Sequence, residues 1–202
     1  KRYFAKVLWG GLLKSRKSAA LPGAKIYPPT LTNSDLANIK IANEMGVTGV
    51  MQPFVRDHSD LERVKEVLRE AGAEDIRLFA KIENMDGVRK LEKLLPAADE
   101  IVIARGDLGN AVHLWDLPGV QRQISEKCRA AGKPFMVVTQ MLASMERSPV
   151  PTRAEVNDIF HAVMDGAASI MVTGETAVGD YPVEVIRYMV NTVRSAEKEE
   201  NR

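Results

Sequence analysis

The chain has 202 residues, 45% of them hydrophobic and 27% charged, so it can bury one ordinary globular core. Twenty-eight basic residues balance 27 acidic ones, and the formal net charge of +1 favours small-molecule partners over a nucleic acid or a membrane surface. One cysteine, Cys128, excludes an intrachain disulfide, and the lack of a signal peptide or long apolar span leads us to expect a cytoplasmic protein.

The first 24 residues lack the periodic hydrophobic pattern of a helix or a strand. Gly10-Gly11 marks a turn or hinge, the basic run 14–17 follows, and Leu21-Pro22-Gly23 precedes the pair Pro28-Pro29. Glycine and proline at this density are typical of irregular backbone that links two domains. We therefore predict a domain boundary near residue 24, with residues 25–202 forming the main domain.

Strand and helix patterns then alternate to the end of the chain. An N-cap signal at Asn33-Ser34-Asp35 begins the first helix, and Thr152 with Glu155 forms a capping box before the fifth. Apolar runs predict strands at 48–51, 76–81, 100–104, 134–139 and 168–172, with helices at 33–46, 60–71, 87–95, 119–131, 154–165 and 182–200. This alternation predicts a parallel α/β architecture, and a (β/α) barrel carries its chemistry at the carboxyl ends of its strands.

Polar residues follow four of the predicted strands. Lys81 and Glu83 are two positions apart, so in an extended strand they project from the same face. Gly106-Asp107 and Thr139 come after the next two strands, and Thr173 follows the last. From Glu83 onward these polar positions are 24, 32 and 34 residues apart, a spacing that accommodates a helix and two short loops. A cation, two carboxylates and a hydroxyl that meet at the carboxyl ends of neighbouring strands suit the binding of an anionic substrate with a metal ion.

A structural interpretation stays open for these residues. Lys81 and Glu83 could form an ordinary internal ion pair, and such pairs imitate functional sites. Thr173-Gly174-Glu175-Thr176 is better interpreted as support for a site and as the entry to a helix. Cys128 lies on a predicted helix, where we expect it to pack rather than react.

Taken together, the motifs resemble those of the pyruvate kinase family over nearly the whole chain. The matching blocks, in chain order, are Ser15-Arg16-Lys17, Leu21-Pro22-Gly23, Phe54-Val55-Arg56, Lys81-Ile82-Glu83-Asn84, Ala104-Arg105-Gly106-Asp107-Leu108-Gly109, Gly132-Lys133-Pro134, Thr139-Gln140-Met141-Leu142, Pro151-Thr152-Arg153-Ala154-Glu155 and Gly174-Glu175-Thr176. An ordered series of this length is specific, whereas the triplet Lys81-Ile82-Glu83 alone would be a weak signal.

The resemblance implies a partial TIM (β/α)8 barrel whose five parallel strands match the fourth to eighth strands of the family barrel. The first three strands, the arginine that grips the substrate phosphate and the potassium ligands would lie outside this chain. Residues 1–24 would be the end of a lid-like segment with its hinge, and residues 25–202 the C-terminal part of the catalytic barrel. A sheet of these strands alone would leave two unpaired edges, so we expect it to need complementation.

The family transfers a phosphoryl group from phosphoenolpyruvate to ADP, giving pyruvate and ATP in glycolysis, with Mg²⁺ (or Mn²⁺) and K⁺ as cofactors. By resemblance, Lys81 is a catalytic residue that contacts the transferring phosphoryl group, while Glu83 and Asp107 hold the divalent metal. Phosphoryl transfer needs charge neutralisation more than covalent chemistry, and a lysine and a metal ion on either side of the phosphate provide it.

Four further roles follow from the same resemblance. Gly106 and Asp107 would receive the substrate carboxylate on backbone N–H groups, and the catalytic Thr139 would place its hydroxyl near the enolate. Lys17 matches a family position near the nucleotide. Arg153 matches one that reaches the Gly106 loop of a neighbouring subunit, so the resemblance implies a homo-oligomer.

Two other functions stay open at the level of sequence. A metal-dependent aldolase or lyase working through a pyruvate enolate would use the same pair of acids, and it would cleave a carbon–carbon bond without a nucleotide. A truncated, non-catalytic relative would instead bind a metabolite or complete the barrel of another chain.

Overall fold

The computed structural model describes Phe4, Ser15 and residues 6–8, 10–12 and 28–200. Most of the segment 1–24, which the sequence predicts as a hinge, lies outside the described residues. Lys17, expected near a nucleotide, lies outside them as well.

Five parallel strands form one sheet in the order in which they occur along the chain. They are β1 (Gly49–Gln52), β2 (Arg77–Ile82), β3 (Glu100–Ala104), β4 (Phe135–Val138) and β5 (Ser169–Met171). A strand order equal to the chain order is that of a barrel wall, because each crossover moves the chain one strand further in the same direction. Within the described residues the sheet stays open, with β1 and β5 as its edges. The predicted partial (β/α) barrel is confirmed.

Helices connect the strands, and two further short helices follow the carboxyl ends of β3 and β5. They are α1 (Asn33–Lys40), α2 (His58–Glu70), α3 (Met85–Arg89), α4 (Leu91–Leu94), α5 (Arg105–Ala111), α6 (Leu117–Ala130), α7 (Arg153–Met164), α8 (Gly174–Ala177) and α9 (Pro182–Glu200), with 3₁₀ turns at Leu95–Ala97 and Ala143–Glu146. The predicted capping box is present at the start of α7, where Thr152 and Glu155 satisfy each other's backbone N–H groups.

The predicted helices differ from the observed ones most clearly in three places. α1 ends at Lys40, and residues 41–46 form turns that leave Met45 exposed. The predicted helix 87–95 begins earlier, because Asn84 caps it by accepting a hydrogen bond from the Gly87 N–H at 2.9 Å, and it is interrupted at Lys90. The short helix α5 directly after β3 was not predicted, since its seven residues include two glycines that disfavour helix.

The two faces of the sheet have different surroundings. On β2, Leu78, Ala80 and Ile82 are buried in the main core together with the amphipathic helix α2. The alternate residues, of which Phe79 is one, face the other way, as strand geometry requires. That second face carries a smaller apolar cluster around Val102 and Val138. The sheet thus presents a helix-covered side and a second side that corresponds to the interior of a barrel.

Candidate active site

Lys81 and Glu83 lie together at the carboxyl end of β2. The alternation of the strand turns Lys81 away from the helix-covered core, and Glu83 follows one residue after the strand ends. The Lys81 Nζ lies 2.8 Å from the Glu83 Oε1, and the side chains are 26% and 1% exposed, respectively. A nearly buried carboxylate is therefore paired with an ammonium that solvent can still reach.

The loop after β1 supplies the second partner of Glu83. The backbone N–H of Phe54 donates to the Glu83 Oε2 at 2.6 Å, and Phe54 adopts a φ of 52° to do so. Such a backbone conformation costs a residue other than glycine about 1–3 kcal/mol, and it persists only where its surroundings fix it. Phe54 belongs to one of the motifs shared with the family, but no pattern in the sequence indicates a role for it. Its hydrogen bond fixes the second oxygen of a carboxylate that would otherwise be free to rotate.

Gly106 and Asp107 lie in the first turn of α5, directly after β3. The pairing of Ile82 with Ile103 places this end of β3 beside the end of β2 that carries Lys81. The Asp107 side chain is exposed and makes no hydrogen bond or ion pair with another residue of the described chain. Its carboxylate is therefore available to a ligand, whereas that of Glu83 is already held on both oxygens.

Thr139, the first residue after β4, has a strained backbone. Its φ is 83° and that of Gln140 is 55°, and a β-branched residue at positive φ is rare. Gly106 lies against its side chain, since a Cβ built on Gly106 would come 2.9 Å from the Thr139 Cγ2. Among the described residues none hydrogen-bonds the Thr139 hydroxyl. Gly106 and Thr139 are thus brought together, with the hydroxyl left for other partners.

Arg105 holds the bend formed by Thr139 and Gln140 (the Thr139 turn), a role that no local pattern in the sequence indicates. Its Nη2 donates to the Thr139 carbonyl oxygen at 2.7 Å, and its Nη1 lies 2.7 Å from the Asp158 Oδ2. The only sequence signal was the position of Arg105 in a family block. Asp158 is 53 residues away, so no local pattern could have indicated the pair.

Glu175, in the short helix α8 after β5, serves the structure. Its side chain is almost fully buried, and it accepts hydrogen bonds from the backbone N–H groups of Leu142 and Thr173 at 3.2 and 2.8 Å. Both oxygens of the carboxylate are thus engaged by backbone, an arrangement that ties the segment after β4 to the one after β5. This agrees with its interpretation as support for the site.

The acids near these strand ends have the donor chemistry of a shared magnesium site. Over residues 28–200 and the described positions before them, no group of three or more His, Cys, Asp or Glu side chains could hold a metal ion. Mg²⁺ in phosphate-handling sites is usually bound by one or two carboxylates together with substrate oxygens. Glu83 and Asp107 each carry the carboxylate that this mode needs, and a metal ion at Glu83 would share the oxygens that Lys81 and Phe54 now contact.

Arg153 lies at the first position of α7 and is exposed. It makes no ion pair with any residue that the structure describes. The same helix carries Asp158, the partner of Arg105, so the helix that presents Arg153 is joined to Thr139 through Arg105. In the described part of the chain, no helix has the length and apolar character needed to span a membrane.

A family model described as "Pyruvate kinase, barrel domain" matches residues 1–186, which include every site residue discussed above. The chain belongs to the pyruvate kinase family. It is 42% identical over 193 residues to a pyruvate kinase of Bacillus licheniformis, covering 96% of this chain and 33% of that protein. The pyruvate kinase of Geobacillus stearothermophilus is 42% identical over 183 residues, which are 91% of this chain and 31% of that protein. The pyruvate kinase of Dictyostelium discoideum is 42% identical over 185 residues, which are 92% of this chain and 36% of that protein.

The chain spans about a third of the length of these pyruvate kinases. The matched part is the barrel domain, in agreement with the open sheet of parallel strands. The resemblance of the sequence motifs to the family is therefore confirmed, and the activity of a complete protein carrying this domain is a separate question.

Proposed function

We propose that the complete protein carrying this domain transfers a phosphoryl group from phosphoenolpyruvate to ADP, giving pyruvate and ATP. The observation that supports this most is the Lys81–Glu83 pair at the end of β2, next to the strand end that presents Asp107, whose carboxylate has no partner among the described residues. A cation and two acids at adjacent strand ends suit phosphoryl transfer, because the site then mainly has to neutralise the negative charge of the phosphoryl group with a lysine and a metal ion.

Lys81 would contact the transferring phosphoryl group. Its side chain is partly exposed and its ammonium is paired with Glu83, so it would exchange part of that pairing for a phosphate oxygen. Glu83 and Asp107 would hold Mg²⁺ or Mn²⁺, which when bound neutralises charge on the phosphoryl oxygens. The hydrogen bond from Phe54 keeps the Glu83 carboxylate oriented for this role.

Gly106, Asp107 and Thr139 would hold the rest of the substrate. The first backbone N–H groups of α5 have no partner within the helix, and they are the groups expected to receive the substrate carboxylate. The Thr139 hydroxyl, without a partner among the described residues, would contact the substrate near the enolate. After transfer the enolate gains a proton at carbon, and a hydroxyl with its water neighbours is suited to deliver it.

Further parts of the proposal rest on the family. K⁺ would bind outside this chain, and Lys17 would contact the nucleotide. Arg153 would reach the Gly106 loop of a neighbouring subunit in a homo-oligomer, which its exposed position permits. A mass measurement of the native assembly tests the oligomer, and Arg153→Ala should weaken it or change its activity.

The function is tested by pyruvate formation in the complete protein, which should require both ADP and Mg²⁺. Lys81→Met should lower turnover on the order of 10²- to 10³-fold, as the loss of one electrostatic contact in a transition state does. The matched control is Lys93→Met, which removes an exposed lysine of α4 and should leave turnover unchanged. An inactive complete protein, or a Lys81→Met variant within about tenfold of wild type, contradicts the proposal. Carbon–carbon cleavage without nucleotide would indicate an aldolase or lyase, and binding of phosphoenolpyruvate without turnover a non-catalytic relative.

A further inference from the structure

The guanidinium nitrogens of Arg105 all contact other groups of the protein. Its Nε and Nη2 both donate to the Thr139 carbonyl oxygen at 3.2 and 2.7 Å, and Nη2 also lies 2.8 Å from the Met141 Sδ. Its Nη1 lies 2.9 and 2.7 Å from the two carboxylate oxygens of Asp158. All three nitrogens of the guanidinium are thus engaged by groups of the protein. The side chain is only 13% exposed, so Arg105 is not placed to bind a substrate.

The carbonyl that Arg105 binds belongs to the backbone segment that carries the Thr139 side chain. The Thr139 carbonyl belongs to the peptide that joins two residues at positive φ, Thr139 and Gln140. Fixing that peptide fixes the ψ angle of Thr139, and with it the direction of the Thr139 Cα–Cβ bond. Gly106 packs against the Thr139 methyl group, because its missing Cβ leaves just enough room for that group, and this contact restricts the Thr139 rotamer. The hydroxyl is then the one part of the side chain that no described residue engages.

We propose that Arg105 is a positioning residue that holds the Thr139 turn in its strained conformation, with Asp158 orienting the guanidinium. The inference rests on the proposed function, in which Thr139 contacts the reacting part of the substrate. Lysine cannot replace Arg105, because an ammonium offers a single point of contact where the guanidinium binds the carbonyl with two donors and Asp158 with a third nitrogen. Asp158→Asn keeps a hydrogen-bond acceptor but removes the charge, so its effect is in the same direction and smaller.

The test uses the complete protein with the variants Arg105→Lys, Asp158→Asn and Thr139→Val. The control is Arg147→Gln, which breaks another arginine–aspartate pair that is exposed and joins Arg147 to Asp180 at 2.8 Å. Arg105→Lys should lower kcat on the order of 10- to 100-fold, as a displacement of about 1 Å does, and change the KM for phosphoenolpyruvate less than about threefold. In the Thr139→Val background it should cost less than about threefold more, because the group that it positions is already gone.

A readout that needs no activity is the methyl resonance of Thr139 in protein with labelled threonine methyl groups. Thr139→Val assigns it, since that variant loses this one threonine signal. Arg105→Lys should shift the resonance, Asp158→Asn should shift it less, and Arg147→Gln should leave it in place. A merely structural role of Arg105 would lower the melting temperature without a selective change at this methyl group.

Each result decides the proposal. A fall in kcat that is non-additive with Thr139→Val, together with the methyl shift, supports it. Additive effects, a kcat of Arg105→Lys within about twofold of wild type, or an unmoved methyl resonance overturn it. If Arg105→Lys does not fold, Asp158→Asn has to show the same pattern, and its failure to do so overturns the proposal as well. If the wild type does not turn over phosphoenolpyruvate and ADP, the proposed function fails, and the methyl resonance alone decides whether Arg105 positions Thr139.

Discussion

Gly106 lies so close to Thr139 that a Cβ added to the glycine would sit 2.9 Å from the Thr139 methyl carbon. Gly106→Ala should therefore displace Thr139 and lower kcat at least about tenfold. Thr139→Ser in the same background should restore much of the loss, because serine keeps the hydroxyl and lacks the methyl group. Gly119→Ala, on α6 with open space around the glycine, is the matched control and should leave kcat unchanged. Steady-state kinetics on the four proteins check this, and a failure of serine to rescue would contradict the steric explanation.

Removing the charge of either candidate metal ligand, Asp107 or Glu83, should change the stability of the protein by different amounts. Asp107 is exposed and has no partner in the described part of the chain, so Asp107→Asn should change the unfolding free energy by less than about 0.5 kcal/mol. Glu83→Gln breaks the ion pair with Lys81 and should cost about 1–3 kcal/mol.

Both variants should weaken Mn²⁺ binding at least about tenfold, measured by titration in the presence of phosphoenolpyruvate. Denaturation curves of the same proteins give the stabilities. Wild-type Mn²⁺ affinity in Asp107→Asn would remove that residue from the metal site.

Asp60, in the first turn of α2, should make stability depend on pH. Burial alone would raise the pKa of Asp60, but hydrogen bonds from Arg56 and Thr30 outweigh it and lower the pKa to about 2. A carboxyl group whose folded pKa lies below its unfolded value stabilises the protein above the unfolded pKa, and that stabilisation is lost as the pH falls through the folded pKa. Lowering the pKa of Asp60 from its ordinary value of 3.8 to about 2 stabilises the folded protein by about 2 kcal/mol at neutral pH.

Asp60→Asn should therefore be less stable than wild type by about 2 kcal/mol at pH 7, and the difference should shrink between about pH 4 and pH 2. Urea denaturation over this range measures it, with Asp75→Asn as the control for loss of an exposed carboxylate. A difference that stays constant with pH would show that Asp60 acts through packing.

Cys128 should be inert in the folded protein. Its side chain is fully buried in the core, and burial raises the pKa of the thiol to about 12 although the nearby Lys133 opposes the shift. At pH 8 only about one thiol in 10⁴ would be ionised, and the thiolate is the reactive form. Iodoacetamide should leave Cys128 unmodified in native protein and modify it fully in denaturant, as followed by mass spectrometry of its peptide. Rapid labelling of native protein would mean that α6 opens readily.

The sequence predicts well those features whose causes are local. Lys81 and Glu83 meet because residues two apart share a face of a strand, a rule that needs no knowledge of the fold. The capping box of Thr152 and Glu155 likewise follows from a spacing of three residues. Each predicted strand is found, because a continuous apolar run between turn signals is typical of a buried parallel strand.

What escaped prediction depends on contacts between distant parts of the chain. Phe54 and Thr139 take up positive φ values that their residue types disfavour, and each is held by a partner from another strand end, Glu83 or Arg105. The pairing of Arg105 with Asp158 spans 53 residues and carries no local signal. Strained backbone fixed by distant partners is where propensity is expected to fail, and such positions cluster at functional sites.

The way β2 alternates also limits how the gene for this domain can change. Ile82, fully buried, stands between Lys81 and Glu83 and anchors the pair from the opposite side of the sheet. Inserting or deleting one codon between Arg77 and Glu83 would turn the ammonium into the core and the isoleucine outward. A substitution in this stretch changes one side chain, whereas a change of length turns every following side chain to the other face, so related sequences should align across it without a gap.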